Sequence, residues 1–203
     1  MKLNASFRHD DGAVLFEIPE LRWTNSEARC ASERVSNAPI DILTAVSEPE
    51  TWVYVPPHCL KNVEDLSEAT AFLAAMMGIG TEATPKFRCR RLSSLLSIGD
   101  AEARVRQPWH YTSQTDIPAE TEDEFNQWFD EEHLPQLAAL SGTVHAARYR
   151  ADDTPHYLAA YDLTHQEVHG SEAWRTAITT PWRDRIHHRF VNSRRLMFRR
   201  LNV

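Results

Sequence analysis

The run Glu122-Asp123-Glu124-Phe125-Asn126-Gln127-Trp128-Phe129-Asp130-Glu131-Glu132-His133-Leu134-Pro135-Gln136-Leu137 sets a histidine among the apolar residues of an acidic amphipathic helix. Phe125, Trp128, Phe129, His133 and Leu137 recur at helical spacing and share one side, while Asp123, Asn126, Asp130 and Glu131 occupy the other. His133 is therefore expected to face inward. An inward histidine is either a satisfied core residue or a group held for chemistry, and the helix alone does not choose between them.

Outward from this helix, periodicity and chain breakers predict a strand at 109–115, the helix at 121–140, strands at 143–150 and 155–163, helical segments within 171–190 and a strand at 194–201. Thr180-Pro181 reads as an N-cap followed by proline at the first helical position, so the last helical region is expected to break there and restart at Trp182. The order is β-α-β-β-α-β. The first half repeats it in weaker form, with strands at 13–18, 40–47, 51–56 and 86–92, a poor helix at 26–35 and a surer one at 63–77. Asp65 opens that last helix, and Gly78 and Gly80 end it.

The unit is a ferredoxin-like α+β fold, with helices on one face of an antiparallel sheet. Two such sheets can cover each other. The expected architecture is two tandem repeats, 1–100 and 101–203, joined by a linker at Ser97–Gln107 and closing a dimeric-type α+β barrel within one chain, its cavity between the sheets. A strand, a helix reading E-F-x-x-W-[FY]-D-E-E-H-L-P and a strand with the basic-aromatic end Arg148-Tyr149-Arg150 together resemble the EthD-like branch of the dimeric α+β barrel superfamily. The likeness spans Pro108 to Val203, with Thr143–Arg150 and Pro155–Tyr161 standing where that family has its next two strands. The first half lacks the acidic helix and would be a degenerate copy. The resemblance implies that His133 borders a cavity and that part of the Arg148-Tyr149-Arg150 ending lies near the site.

The 203 residues, 42% hydrophobic and 25% charged, are ordinary for a globular protein, and a net charge of −7 argues against general nucleic-acid binding. Met1–Ser6 lacks the apolar core of a signal peptide, and no stretch approaches the ~18 apolar residues of a membrane span, so a cytoplasmic protein without membrane association is expected. Cys30, Cys59 and Cys89 lack disulfide or zinc spacing. The ten histidines show no two-histidine-one-carboxylate pattern, and no glycine-rich nucleotide loop is present, so neither metal nor cofactor is expected.

Arginines alternate along the terminal strands. Arg88 and Arg90 share a face, as do Arg148 and Arg150, and Arg195 and Arg199. A guanidinium on an inward face is costly unless it meets an anion, and its planar fork suits carboxylates and enolates. On the strand beginning at Trp109, His110, Thr112 and Gln114 alternate with Tyr111 and Ser113, and either set could line a cavity.

These residues and the resemblance together favour a cofactor-independent isomerase of a small, conjugated, carboxylated ring-cleavage product in aromatic catabolism. His133 first, and His110 second, would exchange the proton; Arg88, Arg90 and Arg148 would hold the carboxylates, with Tyr111 beside the substrate. The partner is then a small anionic molecule, and a homodimer is compatible with the chain. An aromatic cavity would instead point to a polyketide cyclase or cofactor-free monooxygenase of a phenol. A filled barrel would point to a non-catalytic small-molecule-binding or stress-response protein.

Overall fold

The computed structural model describes residues 12–35 and 38–201, so the N-terminal segment Met1–Ser6 lies outside the described residues. The order β1 (Ala13–Pro19), α1 (Asn25–Arg34), β2 (Asp41–Ala45), β3 (Glu50–Val55), α2 (Leu66–Met77), β4 (Arg88–Gly99) is the first β-α-β-β-α-β set. The second runs β5 (Trp109–Asp116), α3 (Glu122–Trp128), a π-helical turn (Phe129–His133), α4 (Leu134–Ala138), β6 (Thr143–Ala151), β7 (Tyr157–Leu163), α5 (Glu172–Ala177), α6 (Pro181–His187), β8 (Val191–Arg200). Hydrogen-bonded neighbours run β1-β3-β2-β8-β5-β7-β6-β4 and return to β1, the closed α+β barrel topology expected from the sequence. Among the described residues no helix is long and apolar enough to cross a membrane.

Two compact units divide the chain: one comprises the described residues of Met1–Ser93 and Phe198–Val203, the other Ser94–Met197. In the first, β1 pairs with β3 and β4, and β2 pairs with β3 and with the end of β8, where Leu43 faces Arg200. Phe16 stacks on Phe72 at 5.7 Å and meets Phe87 at 5.8 Å, which fills the helix-covered face with an apolar core. Thr24 caps α1 in a capping box with Glu27, and Asp65 caps α2, which ends on left-handed Gly78.

In the second unit, β7 pairs with both β5 and β6, with Tyr111 opposite Tyr161 and Arg148 opposite Ala159. The expected linker at 97–107 begins as strand: β4 continues to Gly99, whose neighbour Asp100 donates its N–H to Val144 O at 3.0 Å. Leu96 and Ile98 pack on the second unit's core, which rewards extending the strand past the point where loop-forming residues begin.

The predicted 121–140 helix is interrupted once. A straight α-helix turns about 100° per residue, so His133 and Leu137 would drift round from the face set by Phe125 and Trp128. The π-helical turn accommodates one extra residue and rotates both back. Thr180 caps α6 as its sequence predicts, accepting from Arg183 N at 3.0 Å ahead of Pro181. The Thr180 hydroxyl also donates to Glu132 Oε1 at 2.5 Å, and the same carboxylate oxygen accepts from Trp128 Nε1 at 3.0 Å. Glu132 thus fixes the start of α6 against the π-helical turn.

Candidate functional site

A cavity of about 340 Å³ lies inside the second unit, between its sheet and α3, α5, α6 and the π-helical turn. The sequence placed a cavity on the opposite face of this sheet. Alternation decides the matter: Tyr111, Ser113 and Thr115 of β5, Arg148 of β6, Tyr157, Ala159 and Tyr161 of β7 and Arg195 of β8 form its floor. Phe125, Trp128, Phe129, His133 and Leu137, the stripe read from the sequence, form its roof. Trp174, Ile178 and Phe190 close its sides.

His133 is clamped between aromatic rings. Its imidazole stacks on Trp128 at 4.4 Å and 28° and meets Phe129 edge-on at 4.8 Å. Among the described residues no side chain or backbone group hydrogen-bonds that imidazole, which is half-buried and lines the cavity. Burial pushes its pKa from 6.5 down to about 3, assisted by Arg183, His187, Arg148 and Arg195. The ring is therefore neutral, with one N–H donor and one acceptor.

Arg148 is buried beneath Phe125, Phe129 and Tyr157, its guanidinium carbon 4.9, 4.7 and 5.0 Å from their ring centroids. Nη1 donates to Asp130 Oδ1 at 2.7 Å and Nη2 to Asn126 Oδ1. Its buried Nε finds no partner among the described residues, nor does the buried hydroxyl of Tyr161. Burial raises the Tyr161 phenol, and raises that of Tyr111 to about 12 against the pull of Arg195, so both stay protonated. His169 stacks on Tyr111 at 3.9 Å and is held below its ordinary pKa by burial and Arg195.

Of the residues singled out in the sequence, the fold brings His133, Arg148 and Tyr111 to this cavity. His110 lies on the opposite face of the sheet, buried, with Nδ1 2.8 Å from Asp162 Oδ1. The same carboxylate reaches His145 Nδ1 at 3.2 Å, and His145 Nε2 meets Ser97 Oγ at 2.9 Å. Arg88 and Arg90 belong to the first unit, where both meet Glu17, at 3.7 and 2.9 Å. Sequence reading did not select Tyr161, Trp174, Arg183 or His187. Tyr161 carries a legible signal, since it shares strand parity with Tyr157 and Ala159; the others sit in short helices whose orientation periodicity does not fix.

No family model and no curated protein matches the sequence. Solved structures do. A candidate monooxygenase of Fusobacterium nucleatum superposes with a TM-score of 0.63 at 9% identity, over 96% of this chain and 94% of its own. An uncharacterized ferredoxin-fold protein of Listeria monocytogenes, related to antibiotic biosynthesis monooxygenases, gives 0.57 at 10% identity over 96% and 98%. An anthrone oxidase-like protein gives 0.56 at 11% identity over 95% and 92%. At such identities the likeness establishes the fold, a ferredoxin-like α+β barrel whose neighbours are of the antibiotic-biosynthesis-monooxygenase type; it does not single out the EthD-like branch.

The isomerase expected from the sequence is corrected here. Those structures carry monooxygenase and oxidase names. The cavity is walled chiefly by aromatic rings, Arg88 and Arg90 are not among its lining residues, and an imidazole with a pKa near 3 is a poor base for taking a proton from carbon.

Proposed function

We propose that the protein is an oxygenase-type enzyme that binds a small phenolic aromatic in this cavity as the phenolate. The observation that carries the reading is the His133 imidazole, which has no hydrogen-bond partner among the described residues and lines a cavity walled by aromatic rings. Polar groups in apolar surroundings are rarely left unpaired, so this one calls for a ligand or solvent atom beside it. A flat ring suits the Trp128 and Phe129 surfaces, and an oxygen on it can pair with the His133 imidazole. At about 340 Å³ the cavity falls at the small end of ligand pockets, about 300–1,000 Å³.

Burial by itself holds a phenol here in its protonated form, as it does Tyr111, and the cations around His133 act in the opposite direction, toward the anion. Neutral His133 then donates its N–H to the phenolate oxygen. A phenolate is the electron-rich form that can reduce dioxygen. With a free para position, phenol and O₂ give the quinone and water: one oxygen atom enters the ring, and the other leaves with the hydroxyl and ring hydrogens. The fold shared with a candidate monooxygenase and an anthrone oxidase-like protein supports this class of reaction. The Glu124–Pro135 motif supports an EthD-like branch within it.

The test is oxygen uptake with a panel of hydroxylated one- to three-ring aromatics, anthrone included, without added cofactor. Uptake matching quinone formation one to one is expected, with His133→Leu at least about tenfold slower, on the scale of one lost transition-state hydrogen bond. Ring binding without oxygen consumption would overturn the oxygenase reading in favour of a binding protein.

A further inference from the structure

The positive charge of the cavity is concentrated where α6 and β8 bring Arg183, His187 and Arg195 to its wall. Arg195 Nη2 lies 3.2 Å from His187 Nε2. A guanidinium can only donate, so the imidazole accepts, which places the His187 proton on Nδ1 and makes the ring neutral. Burial and the charges of Arg183 and Arg195 favour that same neutral form.

Among the described residues no buried acid balances this corner. Arg183 Nη1 meets Asp184 Oδ1 at 3.1 Å, but that carboxylate is 64% exposed and well screened by solvent. Among the described residues no carboxylate lines the cavity, and none pairs with Arg195. Arg195 is itself exposed, and its charge opposes the larger effect of burial at Tyr111 and adds to it at His133, His169 and His187. Arg148, by contrast, is already paired with Asp130.

We infer that Arg195, seconded by Arg183, is the subsite for a carboxylate carried on the aromatic ligand, so that the substrate class is a hydroxylated arylcarboxylic acid. This rests on the phenol-binding reading above and narrows it. The guanidinium fork of Arg195 suits a planar oxyanion, and His187, held neutral by its acceptor role, adds no charge beyond those of the two arginines. The phenol end then lies toward His133 and Tyr161, and the carboxylate end toward α6.

Trp128 and Trp174 line the cavity, so their fluorescence reports binding directly. Titration compares a hydroxynaphthoate with the naphthol of the same ring, in the wild type and in Arg195→Gln and Arg195→Lys. The wild type is expected to bind the hydroxynaphthoate about tenfold or more tightly than the naphthol, the worth of one charge-assisted pair. Arg195→Gln should erase that advantage, bringing the two affinities to within about twofold of each other, while Arg195→Lys, keeping charge without the fork, should fall between. Equal affinities in the wild type, or an advantage that survives Arg195→Gln, would overturn the subsite and leave the aromatic pocket standing. Tighter binding of naphthyl phosphate than of the hydroxynaphthoate would overturn the carboxylate assignment. Failure of both aromatic ligands to bind would overturn the pocket reading and this inference with it.

Discussion

The imidazole of His133 lies face to face with the indole of Trp128, 4.4 Å apart, although the two residues are five positions apart along the chain and a regular α-helix brings together positions three or four apart. The π-helical turn closes that gap. It buries an ionisable ring in an apolar cleft beside cations, which makes His133 a source of acid sensitivity.

The sign follows from proton uptake. The folded state holds the His133 pKa near 3, whereas an unfolded chain takes up that proton near 6.5. The contribution of neutral His133 is full above about pH 6.5 and is lost as pH falls toward 3, by up to about 1.4 kcal/mol per pH unit. His169 and His187 are lowered as well, so the informative quantity is a difference. Wild type minus His133→Leu, measured by urea unfolding, should decline between pH 6.5 and 4 and stay flat above 7. Burial works against the Asp116 carboxyl, but bonds from Asn192, Thr154 and His156 outweigh it and hold its pKa below the ordinary 3.8, so its contribution is lost only in more acid solution.

Arg148→Lys tests the guanidinium under the roof. Lysine keeps the charge but loses the paired contacts to Asp130 and Asn126 and the flat stacking on Phe125, Phe129 and Tyr157. A loss of about 1–3 kcal/mol is expected, read as a lower urea midpoint at unchanged slope. Because Asp130 is 45% exposed, water can solvate it and the loss should stay within that range.

The legible parts of the molecule were those written in periodicity and caps. The β-α-β-β-α-β order, the Thr180-Pro181 break and the Phe125–Phe129 part of the apolar stripe follow from spacing, whereas His133 and Leu137 join that face through the π-helical turn. Strand parity was equally visible as an alternative: Tyr111 with Ser113 on one face, His110 with Thr112 on the other. Choosing between the faces required knowing which one the helices cover, and that is a tertiary fact. The same ambiguity made Arg88 and Arg90 look like Arg148, although Glu17, seventy residues or more away in sequence, pairs with both. The collapsed face of the first unit hinges on Phe16, Phe72 and Phe87 meeting, which no local pattern announces.

Asp162 should be a stability residue. It accepts from both His110 and His145 inside the second unit, and all three side chains are at most 2% exposed. Asp162→Ala would strand two buried imidazoles and is expected to cost about 3–5 kcal/mol, enough to show as a collapsed melting temperature. His110→Asn, less disruptive, should leave phenol binding within about threefold if the histidine only braces the sheet. A loss of turnover at unchanged stability would instead return His110 to the catalytic role expected from the sequence.

Ala159 offers a test of cavity size. It is buried on the floor, opposite Ser113 on β5 and Arg148 on β6, and its methyl group faces the open space. Overpacking a filled core costs about 1–3 kcal/mol, but here the added isopropyl group enters a void. Ala159→Leu is therefore expected to change stability by less than about 1 kcal/mol while weakening binding of two-ring phenols at least about tenfold. Single-ring phenols, which leave the floor free, should bind within about threefold of wild type. Equal weakening of both classes would mean that the ring lies elsewhere than between Ala159 and the Trp128–Phe129 roof.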